Sequence, residues 1–236
     1  NALWALDVRT GRARELLTAA ALLGGAGESL SVEERARRER LRLSARGIAG
    51  FSLSTDGRRV LVPLSGRLFV FERAGGKVRE LSPGRVSAGE ARFSPDGERV
   101  ACVRDRDLCV IDLASGEERR LTSHEGERIG WGTPEFVAQE EMDRFEGYWW
   151  SPDSRRLVVQ RTDETGVERM RIADPYRPAA PPVEFAYPRA GSANAVVTLA
   201  VLPAEGGAPT WIEWDRAKYP YVCRFVWAAA GPPTLV

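Results

Sequence analysis

An all-β fold, built as part of a β-propeller, is predicted for this 236-residue chain from three observations. A turn recurs as Ser54-Thr55-Asp56-Gly57, Ser94-Pro95-Asp96-Gly97 and Ser151-Pro152-Asp153-Ser154, at spacings of 40 and 57 residues. A second string recurs in phase with it: LWALDVRTGRAREL from Leu3, LFVFERAGGKVREL from Leu68 and LCVIDLASGEERRL from Leu108. Between these markers lie short apolar runs of strand length. Four short strands in roughly 40–45 residues is the pattern of a propeller blade.

Each element follows from its residues. In the recurring turn Asp accepts backbone hydrogen bonds, Pro fixes φ, and Gly takes a positive φ. A half blade is expected at 3–18, whole blades at 47–84 and 87–124, and an elaborated blade at 129–190. A further blade is expected from Asn194 to 236, incomplete, opening on the run Val196 to Val201. The repeat starts and stops in mid-blade, so the chain reads as a piece of a larger propeller. Such a piece exposes unpaired strand edges and is expected to self-associate.

Two insertions are expected to be helical. The first, 19–46, carries a capping box at Ser31-Val32-Glu33-Glu34, an Arg-rich run, and Gly47 as its stop. Its few apolar residues place it on a surface, with Glu and Arg interleaved in a salt-bridged face. One Arg could instead point at a ligand, and spacing does not choose which. The second, 131–147, has Thr133 as cap, Pro134 in the first turn and Gly147 as terminator. Ala138, Met142 and Phe145 share one face of such a helix. Glu140 and Glu141 project together beside it, about 100° apart. In a strand they would point to opposite sides. Paired carboxylates repel unless a cation compensates them, and a primary ammonium with three N–H donors can serve both. A solvated Glu-Glu face is the other reading.

Composition excludes several functions. The formal net charge is +1, from 34 Lys+Arg against 33 Asp+Glu, so a nucleic-acid partner is not expected. No run reaches the length of a membrane span. The one histidine, His124, has no second histidine for a metal site, and no G-x-S-x-G is present. No metal or cofactor is expected. His124 reads as a loop residue, and Trp149-Trp150 as blade core. Cys102 and Cys109 flank a hairpin turn and could face each other across the strands. With Cys223 they form no disulfide framework and read as small residues in a reducing compartment.

The string Glu135-Phe136-Val137-Ala138-Gln139-Glu140-Glu141-Met142-Asp143-Arg144, continued by Gly147-Tyr148-Trp149-Trp150-Ser151-Pro152, resembles the double-Glu segment of dipeptidyl peptidase IV family serine peptidases. The run Glu33 to Arg42 with Gly47-Ile48-Ala49 resembles a helix of the dipeptidyl peptidase eight and nine branch and its bacterial relatives. Tyr187-Pro188-Arg189-Ala190-Gly191-Ser192-Ala193-Asn194 is similar to a further family segment, and Glu117 to Thr122 fits as well. The resemblance implies an eight-bladed propeller, of which about four blades lie here, followed by a C-terminal α/β-hydrolase domain. It implies removal of Xaa-Pro or Xaa-Ala dipeptides from free N-termini. It assigns Glu140 and Glu141 to the substrate's α-ammonium. It assigns Arg42 to a contact with substrate and the double-Glu segment, ordered when ligand is present. No catalytic residue is expected in this chain, because the resemblance puts the triad in the hydrolase domain. Expected partners are the peptide N-terminus and that domain, with a homo-oligomeric parent in the cytoplasm; periplasmic or secreted locations stay open. The alternatives are a propeller-type module that binds peptide or protein, and a sister acyl-peptide or oligopeptidase.

Overall fold

The computed structural model describes residues 2–30, 34–35, 38–39, 42, 44, 46–84, 88–228 and 234–235. Within them the chain is mostly antiparallel β-sheet. The hairpin β1 (Ala2–Leu6) and β2 (Ala13–Thr18) comes first, followed by a short helix, Ala19–Leu22, capped by the Thr18 hydroxyl. Strands β3 (Ser52–Leu53), β4 (Arg59–Leu64), β5 (Arg67–Glu72) and β6 (Val78–Leu81) form a four-stranded sheet in sequence order. Strands β7 (Ala88–Phe93), β8 (Arg99–Arg104), β9 (Asp107–Asp112) and β10 (Glu118–Arg120) form a second.

The sheets stack face to face, which explains why their central strands read as unbroken apolar runs. Val60 and Val62 face the β1–β2 hairpin and pack with Leu3, Leu17 and Leu22. Leu61 points the other way and joins Val100, Cys102, Cys109 and Ile111 of the second sheet. Ala101, Val103, Leu108 and Val110 of that sheet turn toward the third, meeting Trp131, Tyr148, Leu157 and Leu202. Each fully buried Val or Leu stabilises the stack by about 1.5–3 kcal/mol. Cys102 and Cys109 are direct cross-strand partners inside this core, and burial raises both thiols, Cys109 to about 11.

The recurring turn is built on the same serine–aspartate bond three times. The Ser54 hydroxyl donates to Asp56 Oδ1 at 2.6 Å and accepts the Arg59 N–H at 3.0 Å. The Ser94–Asp96 and Ser151–Asp153 hydroxyl-to-carboxylate bonds are both 2.5 Å. The serine hydroxyl, then a backbone N–H, hold Asp56 and Asp153 below the ordinary carboxylate pKa. Ser154 replaces the glycine at a φ of 59°. Its hydroxyl accepts the Asp96 N–H of the neighbouring sheet at 3.0 Å.

Arginines tie one sheet to the next at repeating positions. Arg59 Nη1 donates to the Gly97 carbonyl at 2.7 Å, and Arg99 Nη1 to the Ser154 carbonyl at 3.1 Å. Arg79 donates to the Leu113 carbonyl, and Arg119 to the Glu205 carbonyl at 2.8 Å.

The third sheet corrects the expected blade division. It contains β11 (Ile129–Trp131), β12 (Tyr148–Trp150), β13 (Arg156–Asp163), β16 (Val196–Pro203) and β17 (Thr210–Ile212). Val196–Pro203 pairs with Arg156–Asp163 over its whole length, so no new sheet starts at Asn194. The hairpin β14 (Arg169–Ile172) and β15 (Val183–Ala186) is inserted between these two strands. A last pair, β18 (Phe225–Val226) and β19 (Thr234–Leu235), follows.

Among the described residues of the Arg-rich run, Arg35, Glu39 and Arg42 are exposed, as a surface helix expects, and Arg38 pairs with Glu34 at i,i+4. Residues 31–33 of its capping box, and several further residues, lie outside the described residues. Within them Arg38 is buried, holding Glu28 and Glu34 at 2.8 Å each. Glu28 also accepts the N–H of Gly47, whose φ is +82°, so one carboxylate joins the insertion to the turn that ends it.

Candidate functional site

The Glu-Glu segment grows out of a strand. β11 and β12 pair with the same edge of β13: Trp131 lies opposite Arg161, and Tyr148 opposite Val159. Between them Gln160 accepts the Gly132 N–H on its carbonyl and donates its own N–H to Gly147, both at 2.8 Å. The first strand of this sheet is therefore broken by a loop, 132–147, whose ends meet. The neighbouring β7 carries a bulge between Gly89 and Arg92 on its corresponding edge. Gly147 is required by the crossing: a Cβ there would overlap the Gly132 carbonyl and stand 2.6 Å from the Thr133 nitrogen.

The helix inside the loop is shorter than expected. It spans Phe136–Glu141, with Glu135 as an extended N-cap that makes no side-chain cap bond. Thr133 does not cap it; its carbonyl instead accepts the Thr162 hydroxyl at 3.0 Å. The helix stops at Met142, and Asp143 reverses the chain at a φ of 51°. Ala138 is fully buried beneath the helix.

Glu140 and Glu141 are both exposed and both fall in the last helical turn. That end of a helix carries partial negative charge, so two adjacent carboxylates there favour a cation. The same loop holds a buried polar network that the sequence pattern does not show. Arg144 Nη2 donates to Glu135 Oε2 at 3.0 Å, and Nη1 to Gln160 Oε1 at 2.9 Å. Two further N–H groups reach the carbonyls of Val222 at 2.9 Å and Glu146 at 2.6 Å. Gln160 Nε2 donates to Glu135 Oε2 at 2.7 Å and to the Thr162 hydroxyl at 2.8 Å. Burial lowers the Arg144 pKa, against the pull of Glu135. Glu135 and Arg144 stand nine positions apart, outside any helical pairing rule, so only the reversal at Asp143 reveals the pair.

Other elements hold the loop from outside. Phe136 packs edge-on against Tyr187 at 4.9 Å, which brings the Tyr187-Pro188 segment to the helix. Glu146 accepts from Arg92 at 2.5 Å and from the Trp149 indole N–H at 2.9 Å. The cleft between the helix and Ala186–Pro188 measures about 10 Å³, room for one water and too small for a peptide. Both carboxylates lie outside this cleft, on the exposed surface.

The structure does not join Arg42 to this pair. Arg42 is exposed at a φ of 53°, and its backbone N–H donates to the Glu39 carbonyl at 3.0 Å. Arg37 and Arg40 of the same run lie outside the described residues. His124 Nδ1 is 2.9 Å from Oδ2 of buried Asp107, which also receives Arg120 and the Thr122 hydroxyl. Trp149 and Trp150 are half-buried at the margins of two core clusters. Among the described residues no group of three or more His, Cys, Asp or Glu is placed to hold a metal ion.

Comparison with known proteins adds four findings. The family model described as "Dipeptidyl peptidase IV (DPP IV) N-terminal region" matches residues 54–235. Mouse dipeptidyl peptidase 8 is 29% identical over 239 residues, covering 85% of this chain and 27% of its own length. A probable dipeptidyl-aminopeptidase B of Grosmannia clavigera is 32% identical over 156 residues, covering 56% of this chain and 16% of its own. Among solved structures, Porphyromonas gingivalis dipeptidyl peptidase 4 superposes with a TM-score of 0.68 at 21% identity, over 90% of this chain and 30% of that one. The chain thus spans under a third of the length of each of these relatives.

Proposed function

This chain belongs to the family of dipeptidyl peptidase IV N-terminal regions, and from that premise we propose that it is the substrate-anchoring part of a dipeptidyl peptidase. In this reading it is a portion of a propeller that precedes a hydrolase domain carrying the catalytic serine, aspartate and histidine. The whole protein removes Xaa-Pro or Xaa-Ala dipeptides from free N-termini. Glu140 and Glu141 take the α-ammonium, and Arg42 approaches when substrate is present.

The observation that carries the proposal is the pair itself: two exposed carboxylates in one helical turn, on a loop fixed at both ends and braced by Arg144. Two charge-assisted bonds to one ammonium fix the distance from the N-terminus to the scissile bond. The contribution is positioning, with bond chemistry supplied elsewhere.

The test is steady-state kinetics of the full-length protein on a Gly-Pro reporter. Glu140→Ala or Glu141→Ala should lower kcat/KM by roughly 30- to 5,000-fold, the range for losing one partner of a charge pair that bound substrate covers, at about 2–5 kcal/mol. Wild-type kcat/KM in both variants would reject the anchoring role and favour the solvated-face reading.

A further inference from the structure

We propose that Arg144, with Glu135 and Gln160, is a positioning device that sets Glu140 and Glu141 for the substrate; this rests on the anchoring reading above.

The helix that carries the two glutamates is only six residues long, too short to hold its shape alone. Arg144 fastens it at both ends. Its side chain binds Glu135 at the N-cap, and its backbone N–H donates to the Ala138 carbonyl at 2.9 Å near the C-terminal turn. The same guanidinium binds Gln160 on β13, Glu146 at the loop exit and Val222 from a later segment. One side chain therefore refers the glutamates to three separate parts of the fold. A planar guanidinium with five fixed donors can do this; a lysine cannot.

Energetics point the same way. The Arg144 and Glu135 side chains are 6% and 4% exposed, so both charges have left water. Such a pair is a poor source of stability compared with apolar packing of equal volume, and geometric definition is the better-attested reason to keep one. Glu135 Oε1 is buried without a hydrogen-bond partner among the described residues. The network thus bears a desolvation cost that an apolar filler would avoid. Attached at the N-cap and at Ala138 of the helix that carries the glutamates, it acts on substrate only through them.

The experiment is a double-mutant cycle in the full-length protein with R144M, E140Q and the two combined, on a Gly-Pro reporter. R144M should raise KM by about tenfold or more while kcat changes less than about threefold, because a misplaced anchor weakens the hold on the ammonium equally in ground and transition state. In the E140Q background the same change should add less than about threefold, the coupling expected when one residue acts through another. Impaired E140Q with R144M at wild-type KM, or with fully additive losses, overturns the positioning role alone. E140Q at wild-type KM overturns the anchoring reading and this one with it. If R144M lacks native near-UV circular dichroism, the charge-neutral variant carrying E135Q and R144M is held to the same outcomes.

Discussion

At the scale of single residues, the site depends on two glycines and two charges far apart in sequence. Gly132 and Gly147 cross where the loop leaves and rejoins its sheet, and a methyl group at Gly147 meets backbone that cannot swing aside. Gly147→Ala should therefore cost about 3 kcal/mol in urea unfolding, in the upper range for overpacking. Gly116→Ala, at a φ of +77° with open space around its Cβ position, should cost about 1 kcal/mol from the left-handed backbone alone. Equal losses at the two sites would refute the crossing argument. The glutamates were legible in sequence because adjacency on a helix is a local property. Glu135 and Arg144 were not, because burial of charge leaves no apolar pattern and their contact depends on the turn at Asp143. The Cys102–Cys109 pairing was legible from the short turn between them.

At the scale of elements, repetition supplies both the sheets and the bonds between them. The turns were readable from their aspartate and glycine, whereas the serine hydroxyl that donates to the aspartate was not evident. The arginine latches were not, since they join residues 38 and 55 positions apart. Arg99 grips the Ser154 carbonyl and pairs with Glu205 at 2.7 Å. Arg99→Ala should destabilise the protein by about 1.5 kcal/mol, as for a charged hydrogen bond lost from a partly buried place. Arg58→Ala, whose side chain is 81% exposed, should change stability by less than about 0.5 kcal/mol. Matching urea midpoints for the two variants would show that the latch contributes nothing. The misplaced boundary at Asn194 has a plain cause. The β14–β15 hairpin separates two paired strands, and a period of about 40 residues cannot be followed across it.

At the scale of the whole molecule, the stacked sheets form a platform and the broken first strand of the third sheet presents the loop. Each of the three larger sheets packs on both faces, so the loop is rooted in a buried strand. The balanced charge of the chain hides a local division: an acidic pair on one loop and an Arg-rich run elsewhere. In the proposed enzyme that pair identifies a free N-terminus. The direct measurement compares kcat/KM of the full-length protein on a Gly-Pro reporter and on its N-acetyl form, for wild type and for E140Q with E141Q. Wild type should prefer the free amine by roughly a thousandfold or more, as one desolvated charge contact allows, and the double variant should lose most of that preference. An unchanged preference in the variant would contradict the account.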